Sequence, residues 1–474
     1  MTPADEIAAL HAENAALREQ VTALLEHVRE LEGRLAKDSH NSSKPPSSDG
    51  LKRQLPRTRS LRRKSGKKPG GQLGHSGETL HLVAEPDAIV AHRPTICAAC
   101  QAPLPEEGAE VVARERRQVQ DLPPIRLQVT EHQALSVRCS ACQAVTAGAF
   151  PAEAPSRAQY GPRLRALAVY LVAQQFVPYA RTRDLLTDLT GARLSVGTLV
   201  EWVQQSAEAV KPVEDALKAA LQRVPVLHSD ETGVRRSGRL AWAHVASTAR
   251  LTHYAIHAKR GSAATEAIGI LPDYRGVSVH DGWKPYQAHT RCRHALCNVH
   301  HLRELTFVEE QYQQPWAKDL KALLLEMRAT TEQARAAGEL RLPVAQRAPL
   351  VTRYEHLLAL GLAANPPPPR RSRQRGRIKQ SPVRNLLGRL LLGQDQVLAF
   401  LDDLTIPFDN NQAERDLRLL KTQQKISGGF RSDAGGDAFA LLRTYLSTLR
   451  KQGGALLAAL QTLFTESPLY PAFA

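Results

Sequence analysis

Residues 5–37 carry an unbroken heptad repeat, and few patterns restrict a chain so tightly. Position a reads Ile7, Asn14, Val21, Val28, Leu35, and position d reads Leu10, Leu17, Leu24, Leu31. Apolar residues alternately three and four apart form one narrow seam along an α-helix, and such a seam is best buried against a second helix of the same kind. Mostly β-branched residues at a with Leu at d favour two parallel strands, and the single polar Asn14 fixes their register. Glu13 at g and Arg18 at the next e can pair across the seam. The repeat therefore predicts a leucine-zipper coiled coil over 1–40 and a homodimer through residues 5–37. An amphipathic helix packed on its own chain is the rival reading, which nine consecutive core positions disfavour.

Beyond the heptads the chain turns Ser/Pro-rich and basic, with no periodicity, so 41–85 reads as a flexible linker. Residues 44–70 hold ten Lys/Arg against one Asp, and 370–384 hold seven Arg/Lys and no acid; those two stretches supply the whole net charge of +16. Charge concentrated in this way favours an anionic polymer as partner, with the linker lying along a phosphate backbone. No apolar run is long enough to span a membrane, and the N-terminus lacks a signal peptide's basic-then-apolar order. A cytoplasmic, nucleoid-associated protein acting on DNA is expected.

Cys97-x-x-Cys100 and Cys139-x-x-Cys142 hold four of the six cysteines. Paired in this way in a cytosolic protein, they match zinc spacing rather than a disulfide framework. One structural Zn²⁺ held by these four thiolates would stabilise a zinc-ribbon-like domain over 86–152, a unit too small to bury much of a core. From 155 to 215 the pattern is helical: Tyr160–Val177, Arg181–Leu189, then a third helix opened by Ser195 as N-cap. Two short helices around Gly191 fit helix-turn-helix geometry for DNA, and equally fit a plain helical connector.

A catalytic domain over 218–450 is read from its acids. Val224–Val234 reads as a strand carrying Asp230, followed by strands around Trp242–Val245 and Leu251–Ile256. Gly276–His280 is a further strand that delivers Asp281 at its end. Far downstream, Pro407-Phe408-Asp409-Asn410-Asn411-Gln412-Ala413-Glu414 opens a helix whose apolar positions Ala413, Leu417 and Leu420 share one face. By itself this run also fits a capping box, with Asn411 as N-cap and Glu414 reaching back to it. Taken with the two aspartates, Glu414 completes the carboxylate set that a two-metal phosphodiester reaction needs in an α/β nuclease core. Oxygen ligands of this hardness select Mg²⁺ or Mn²⁺, two per active site. Glu231 points to the opposite face of its strand, so Glu231→Ala is expected to keep substantial activity.

The 132 residues between Asp281 and Glu414 exceed what a minimal core needs and read as a helical insertion at about 315–400. It holds helices at Trp316–Ala337 and Leu350–Leu362, a basic loop, and one Leu-rich helix over Val383–Leu401. Cys292-x₄-Cys297-x₂-His300 is too irregular for a second metal knuckle. The two cysteines are expected as buried apolar residues, with His300 and Arg303 near phosphate. Helices at Phe439–Leu449 and Gly454–Phe464, the latter in a C-terminal helical tail over 451–474, are expected to pack on the sheet.

At these residues the chain resembles the insertion sequence 66 family of DDE transposases. The resemblance is carried by Asn41-Ser42-Ser43-Lys44-Pro45-Pro46-Ser47-Ser48-Asp49, Gly70–Gly77, Ser229-Asp230-Glu231-Thr232-Gly233, Cys297–Glu304, Pro407–Arg418 and Lys425–Ser432, in that order. It implies a ribonuclease-H-like catalytic core with Asp230, Asp281 and Glu414 as triad. Lys421 matches the basic residue such enzymes place on substrate DNA, and Arg415 and Lys425 on the same helix are grouped with it as DNA contacts. The expected function is to cut the ends of an insertion sequence and join the freed 3′-hydroxyls to target DNA. The partners would be the terminal inverted repeats, target DNA and any accessory transposition proteins. Two rivals remain from the residues: a non-catalytic, zinc-containing DNA-binding regulator or decayed transposase, and a junction-resolving nuclease.

Overall fold

The computed structural model describes residues 3–38, 41–42, 79–108, 110–368 and 378–473. All of the basic stretch at 44–70, most of the linker and residues 370–377 of the Arg-rich run at 370–384 lie outside the described residues. The chain divides into two compact units, one of residues 1–56 with 129–474 and the other of residues 57–128.

In the larger unit, helix α1 spans Pro3–Leu35, 33 residues. Its heptad side chains Ile7, Leu10, Leu17, Val21, Leu24, Val28, Leu31 and Leu35 are all exposed, while Asn14 Nδ2 bonds back to the Leu10 carbonyl at 3.2 Å. The foot of the helix touches the rest of the unit. Asp38 and Asn41 cap one another's backbone N–H groups, Asn41 Nδ2 donates to Glu310 at 3.4 Å, and Lys37 lies 4.9 Å over the Phe307 ring. A short hairpin, β1 (Ser136–Arg138) with β2 (Val145–Ala147), follows.

Next comes a helical layer: α2 (Pro162–Val169), a π-helical turn at Tyr170–Gln174, α3 (Tyr179–Thr190) and α4 (Val196–Leu221). Gly191 ends α3 at a φ of 73°, a conformation that costs glycine little. Ser195 caps α4 as expected, accepting from Thr198 N at 3.0 Å. The expected single helix over Tyr160–Val177 is instead interrupted by the π turn.

The centre of the unit is a five-stranded mixed sheet of order β5-β4-β3-β6-β7. Strands β3 (Val226–Arg236), β4 (Arg239–Ser247) and β5 (Thr252–His257) form an antiparallel meander. Helix α5 (Ser262–Ile268) leads to β6 (Val277–His280), which runs parallel to β3, and α6 (Lys284–Gln287) leads to β7 (Arg293–Leu296), parallel to β6. The last strand was not expected. Its four residues include Arg and His and show no clear alternation, so only its neighbour β6 marks it as a strand.

Helix α7 (Asn298–Tyr312) then starts the insertion of α8 (Pro315–Ala336), α9 (Val344–Ala364), α10 (Pro382–Leu392), α11 (Gln394–Val397) and α12 (Ala399–Asp402). These helices share a Leu-rich core with β6 and β7. At Gly361 the helices come so close that a Cβ would lie 2.7 Å from Leu387 and 3.0 Å from Trp316. The expected continuous helix over Val383–Leu401 is three pieces. It breaks at Gly393, where a Cβ would stand 2.9 Å from the Arg389 carbonyl that the Gly393 N–H bonds.

Helices α13 (Asn411–Ser427) and α14 (Asp433–Lys451) cover one face of the meander, and α15 (Leu456–Thr462) ends the chain's regular structure. Edge strand β5 is not left open: Thr252 N and Tyr254 N donate to Thr448 Oγ1 at 3.1 Å and Thr444 Oγ1 at 2.8 Å on α14. That satisfies backbone groups which an edge otherwise offers to another chain. Against expectation, α15 packs on α2 rather than on the sheet, and the 155–215 helices share one core with α14 and α15 instead of forming a separate body.

Candidate active site

Alternation along β3 sends Asp230 to one face and Glu231 to the other. Asp230 stands across from Val245, whose face of the sheet is covered by Ala413, Leu417 and Leu420 of α13. The parallel pairing of β3 with β6 matches His228 to Val279. Continued by two residues, that register sets Asp281 beside Asp230. Just past β6 the chain turns at Gly282, φ 87°, and Asp281 Oδ1 accepts from Trp283 N at 2.9 Å.

Helix α13 delivers the third carboxylate. Its N-cap is Asn410, whose side chain does not cap the helix. Instead Asn410 Nδ2 donates to the Ser229 carbonyl at 2.8 Å, and its Oδ1 lies 2.9 Å from His228 Nδ1. Asp409 takes the helix-opening role by accepting from Asn411 N at 3.0 Å. The capping-box reading of Glu414 is thereby replaced: Glu414 Oε1 is buried and has no hydrogen-bond partner. Near it are Cys297 Sγ and a ring nitrogen of His300, and the three ligand atoms lie within 4.8 Å of one another.

The electrostatics show that Asp230 feels the other acids. Burial pushes the Asp230 carboxyl well above the ordinary carboxylate range. The charges of Glu231, Asp281 and Glu414 push the same way, against one hydrogen bond from Glu231 N. Glu231 is also raised, chiefly by burial, and is held by the Tyr286 hydroxyl and by Arg260 at 2.7 Å. Arg260 stacks 4.1 Å from the Trp283 ring centroid and 4.8 Å from that of Trp242. Glu231 is thus no surface spectator; its side chain is 1% exposed. Burial drives the Cys297 thiol up to about 12, with the Glu414 charge adding. Burial also lowers His300, which Glu414 partly offsets.

The basic residues expected near DNA are differently disposed. Arg415 and Lys425 on α13 are exposed, Arg303 is half-buried, and His300 is mostly enclosed with Nδ1 unpartnered. Lys421 is half-buried and donates to the Gly233 carbonyl at 3.2 Å, and burial lowers its pKa. Residues that sequence reasoning passed over are Asn410, His228, Arg260 and Tyr286. Of these only Asn410, inside an Asp-Asn-Asn run, carried a local signal.

The two cysteine pairs each form the same turn in their own unit. Cys97 N donates to Ala102 O at 2.9 Å and Gln101 N to Cys97 O at 3.0 Å; Cys139 N donates to Ala144 O at 2.8 Å and Gln143 N to Cys139 O at 2.9 Å. Gln101 and Gln143 both sit at left-handed φ, 60° and 62°. Backbone N–H groups of Cys100 and Ala99 lower the Cys97 thiol, and those of Cys142 and Ala141 do the same for Cys139. N–H groups aimed at sulfur favour thiolate, the form that binds Zn²⁺, so each turn fits half of a four-thiolate site.

Most of the chain matches known families. Residues 157–438 match the family described as Transposase IS66 family. Residues 94–143 match the zinc-finger binding domain of transposase IS66, and residues 2–81 match a family of unknown function, DUF6444. A relative in Sinorhizobium fredii, uncharacterized protein y4jD, is 26% identical over 395 residues, covering 77% of this chain and 73% of its own.

Proposed function

The chain belongs to the IS66 family of transposases, and from that membership and the carboxylate geometry we infer a DDE-type enzyme that cuts the ends of an insertion sequence and joins them to target DNA. Asp230, Asp281 and Glu414 are its catalytic acids. The observation that carries this reading is convergence on Asp230: the β3–β6 register sets Asp281 beside it, and the charges of Asp281 and Glu414, from two other elements, both raise it. The sheet order supports a ribonuclease-H-like core, with an antiparallel meander followed by two strands parallel to its first.

The donor set fits divalent cations of the Mg²⁺ or Mn²⁺ kind. All three ligands are carboxylates, and one oxygen, Glu414 Oε1, is buried with nothing to bond. Such ions, when bound, supply positive charge to the attacking and leaving oxygens of an in-line displacement. The chain's own contribution is placement. Asn410 fixes the start of α13 against β3, Asp281 is held by the turn at Gly282–Trp283, and both steps, water attack and 3′-hydroxyl attack, use the same three oxygen donors. Exposed Arg415 and Lys425 on the helix that carries Glu414 serve as phosphate contacts. Lys421 would join them by exchanging the Gly233 carbonyl for a phosphate oxygen. The zinc unit, with one Zn²⁺ on Cys97, Cys100, Cys139 and Cys142, together with the basic linker, binds the element ends, and the coiled coil pairs two chains.

The test is cutting of a labelled duplex bearing an element end, in Mg²⁺ or Mn²⁺. Asp230→Ala, Asp281→Ala and Glu414→Ala should each abolish cutting and joining while leaving end binding largely intact. Cutting by Glu414→Ala would move the third ligand elsewhere.

A further inference from the structure

Glu414 lies near enough to Asp230 for its charge to be felt there, and it also sits beside a pair of residues that the carboxylate chemistry does not use. Cys297 precedes α7 and His300 lies in its first turn, so the Cys-x-x-His spacing brings sulfur and imidazole to one side of the helix start. With Glu414 they form a three-ligand group, atoms within 4.8 Å, the only such group among the described residues. Two of the three side chains have a buried polar atom without a partner, Glu414 Oε1 and His300 Nδ1. Neighbouring buried groups that both lack partners call for something to bind them. The third, Cys297 Sγ, accepts from Asn410 N at 3.1 Å, and the adjacent Asn298 N donates to Phe408 O at 3.0 Å. Those bonds pin the start of α7 to the loop that opens α13, so the group is assembled from two elements that are already fastened together.

A sulfur, an imidazole and a carboxylate do not suit Mg²⁺, which prefers an all-oxygen octahedron. They suit a borderline ion such as Zn²⁺, and three protein ligands leave its fourth position open. Zinc–ligand bonds of about 2.0–2.3 Å require the donors to draw in to roughly 3.3–3.8 Å of one another. That is a side-chain adjustment, because α7 and α13 need not move. We propose that Cys297, His300 and Glu414 form a second zinc-class site, distinct from the paired Cys-x-x-Cys turns, and that its occupation withdraws Glu414 from the oxygen set, making Zn²⁺ a brake on strand cutting. The braking consequence rests on the function proposed above; the binding of the ion does not.

Zinc bound per full-length chain is measured in competition with a chromophoric chelator. Wild type should take up about two ions of unequal affinity, one tight and one weaker. Cys297→Ser, whose hydroxyl can keep the bond from Asn410, should lose only the weaker ion, and Cys97→Ser with Cys100→Ser only the tighter. His300→Gln serves as a second variant, and circular dichroism shows which proteins are folded. Weaker-ion binding unchanged from wild type in whichever of Cys297→Ser and His300→Gln is folded overturns the site. In Mg²⁺, Zn²⁺ added to wild type should halve strand cutting at a concentration at least about tenfold below that needed for Cys297→Ser, a tenfold ratio being a modest affinity difference. Equal dose curves with the second ion present overturn the brake alone. Loss of all Mg²⁺-dependent cutting in wild type, with zinc counts as expected, counts against the proposed function and leaves the site standing.

Discussion

Asn410 donates its side-chain amide to the Ser229 carbonyl at 2.8 Å, across 181 residues of sequence, and so ties the residue that opens α13 to the strand that carries Asp230. Asn410 is 1% exposed, and His228 sits on its other amide atom at 2.9 Å. This side chain is therefore one of the fastenings that set the spacing between Glu414 and Asp230. Replacing Asn410 by Ala leaves a buried carbonyl and a buried imidazole unpartnered, at a cost of about 1–3 kcal/mol. In urea unfolding Asn410→Ala should be destabilised by that amount. At a temperature where it remains folded, it should also cut end-bearing DNA far more slowly than wild type. A variant with wild-type cutting would show that Glu414 is positioned without this bond.

Glu231→Ala was expected to keep substantial activity because Glu231 faces away from Asp230; its effect on stability is a separate matter. The alternation holds, but the far face is no solvent face. Glu231→Ala strands the Tyr286 hydroxyl and the guanidinium of Arg260, which lies on Trp283 two residues from Asp281. The expected loss is about 1–3 kcal/mol, with Arg260 partly solvated and so at the lower end of what a broken buried pair costs. Glu231→Gln, which keeps a hydrogen-bond acceptor for Tyr286 and Arg260, should recover part of it. Urea unfolding of both variants decides the matter; equal stability of Glu231→Ala and wild type would contradict it.

Much of the site could be read in the sequence because its signals are local. The meander strands announce themselves by alternation, Asp281 follows a short apolar run, and Ala413, Leu417 and Leu420 mark the buried face of α13. What could not be read depends on partners distant in the chain. Strand β7 exists because β6 offers it an edge. The threonines of α14 matter only because β5 lies under them. Cys297 was rightly expected to be buried, but its company of His300 and Glu414 arises from two elements meeting. The break at Gly393 was in principle visible, since glycine weakens a helix, but the flanking leucines gave an unbroken apolar pattern.

Helix α1 presents its whole heptad seam to solvent in the single chain. Leu17 is 50% exposed and Leu24 62% exposed, in a helix whose foot is fastened to the rest of its unit. Large apolar side chains arranged in a stripe and left uncovered favour association with a like stripe. Leu17→Lys with Leu24→Lys places two cations in that seam and should convert dimers to monomers in sedimentation equilibrium. A chain lacking residues 1–40 that stays fully dimeric would place the interface elsewhere.

Asp230 has a folded-state pKa above its ordinary value of 3.8, mainly through burial and then through the charges of Glu231, Asp281 and Glu414. A carboxyl raised on folding binds its proton more tightly in the native state than in the unfolded chain. Its stabilising contribution is complete below pH about 3.8 and is lost as pH rises through the raised folded value. Without divalent ions the native state at neutral and alkaline pH therefore carries an acid it holds poorly. Asp230→Asn removes both the charge and its repulsion while keeping the shape. In chelator at pH ~8 the Asn variant should unfold at higher urea than wild type, and the gap should close as pH falls and wild-type Asp230 takes up its proton. Added Mg²⁺ should stabilise wild type more than the variant, because cations relieve a repulsion that only wild type has in full. Loss of zinc to the chelator affects both proteins alike, so the difference between them is the quantity to follow. An Asn variant no more stable than wild type in chelator would mean that the three acids do not strain one another, and the cation-binding role assigned to them would lose its footing.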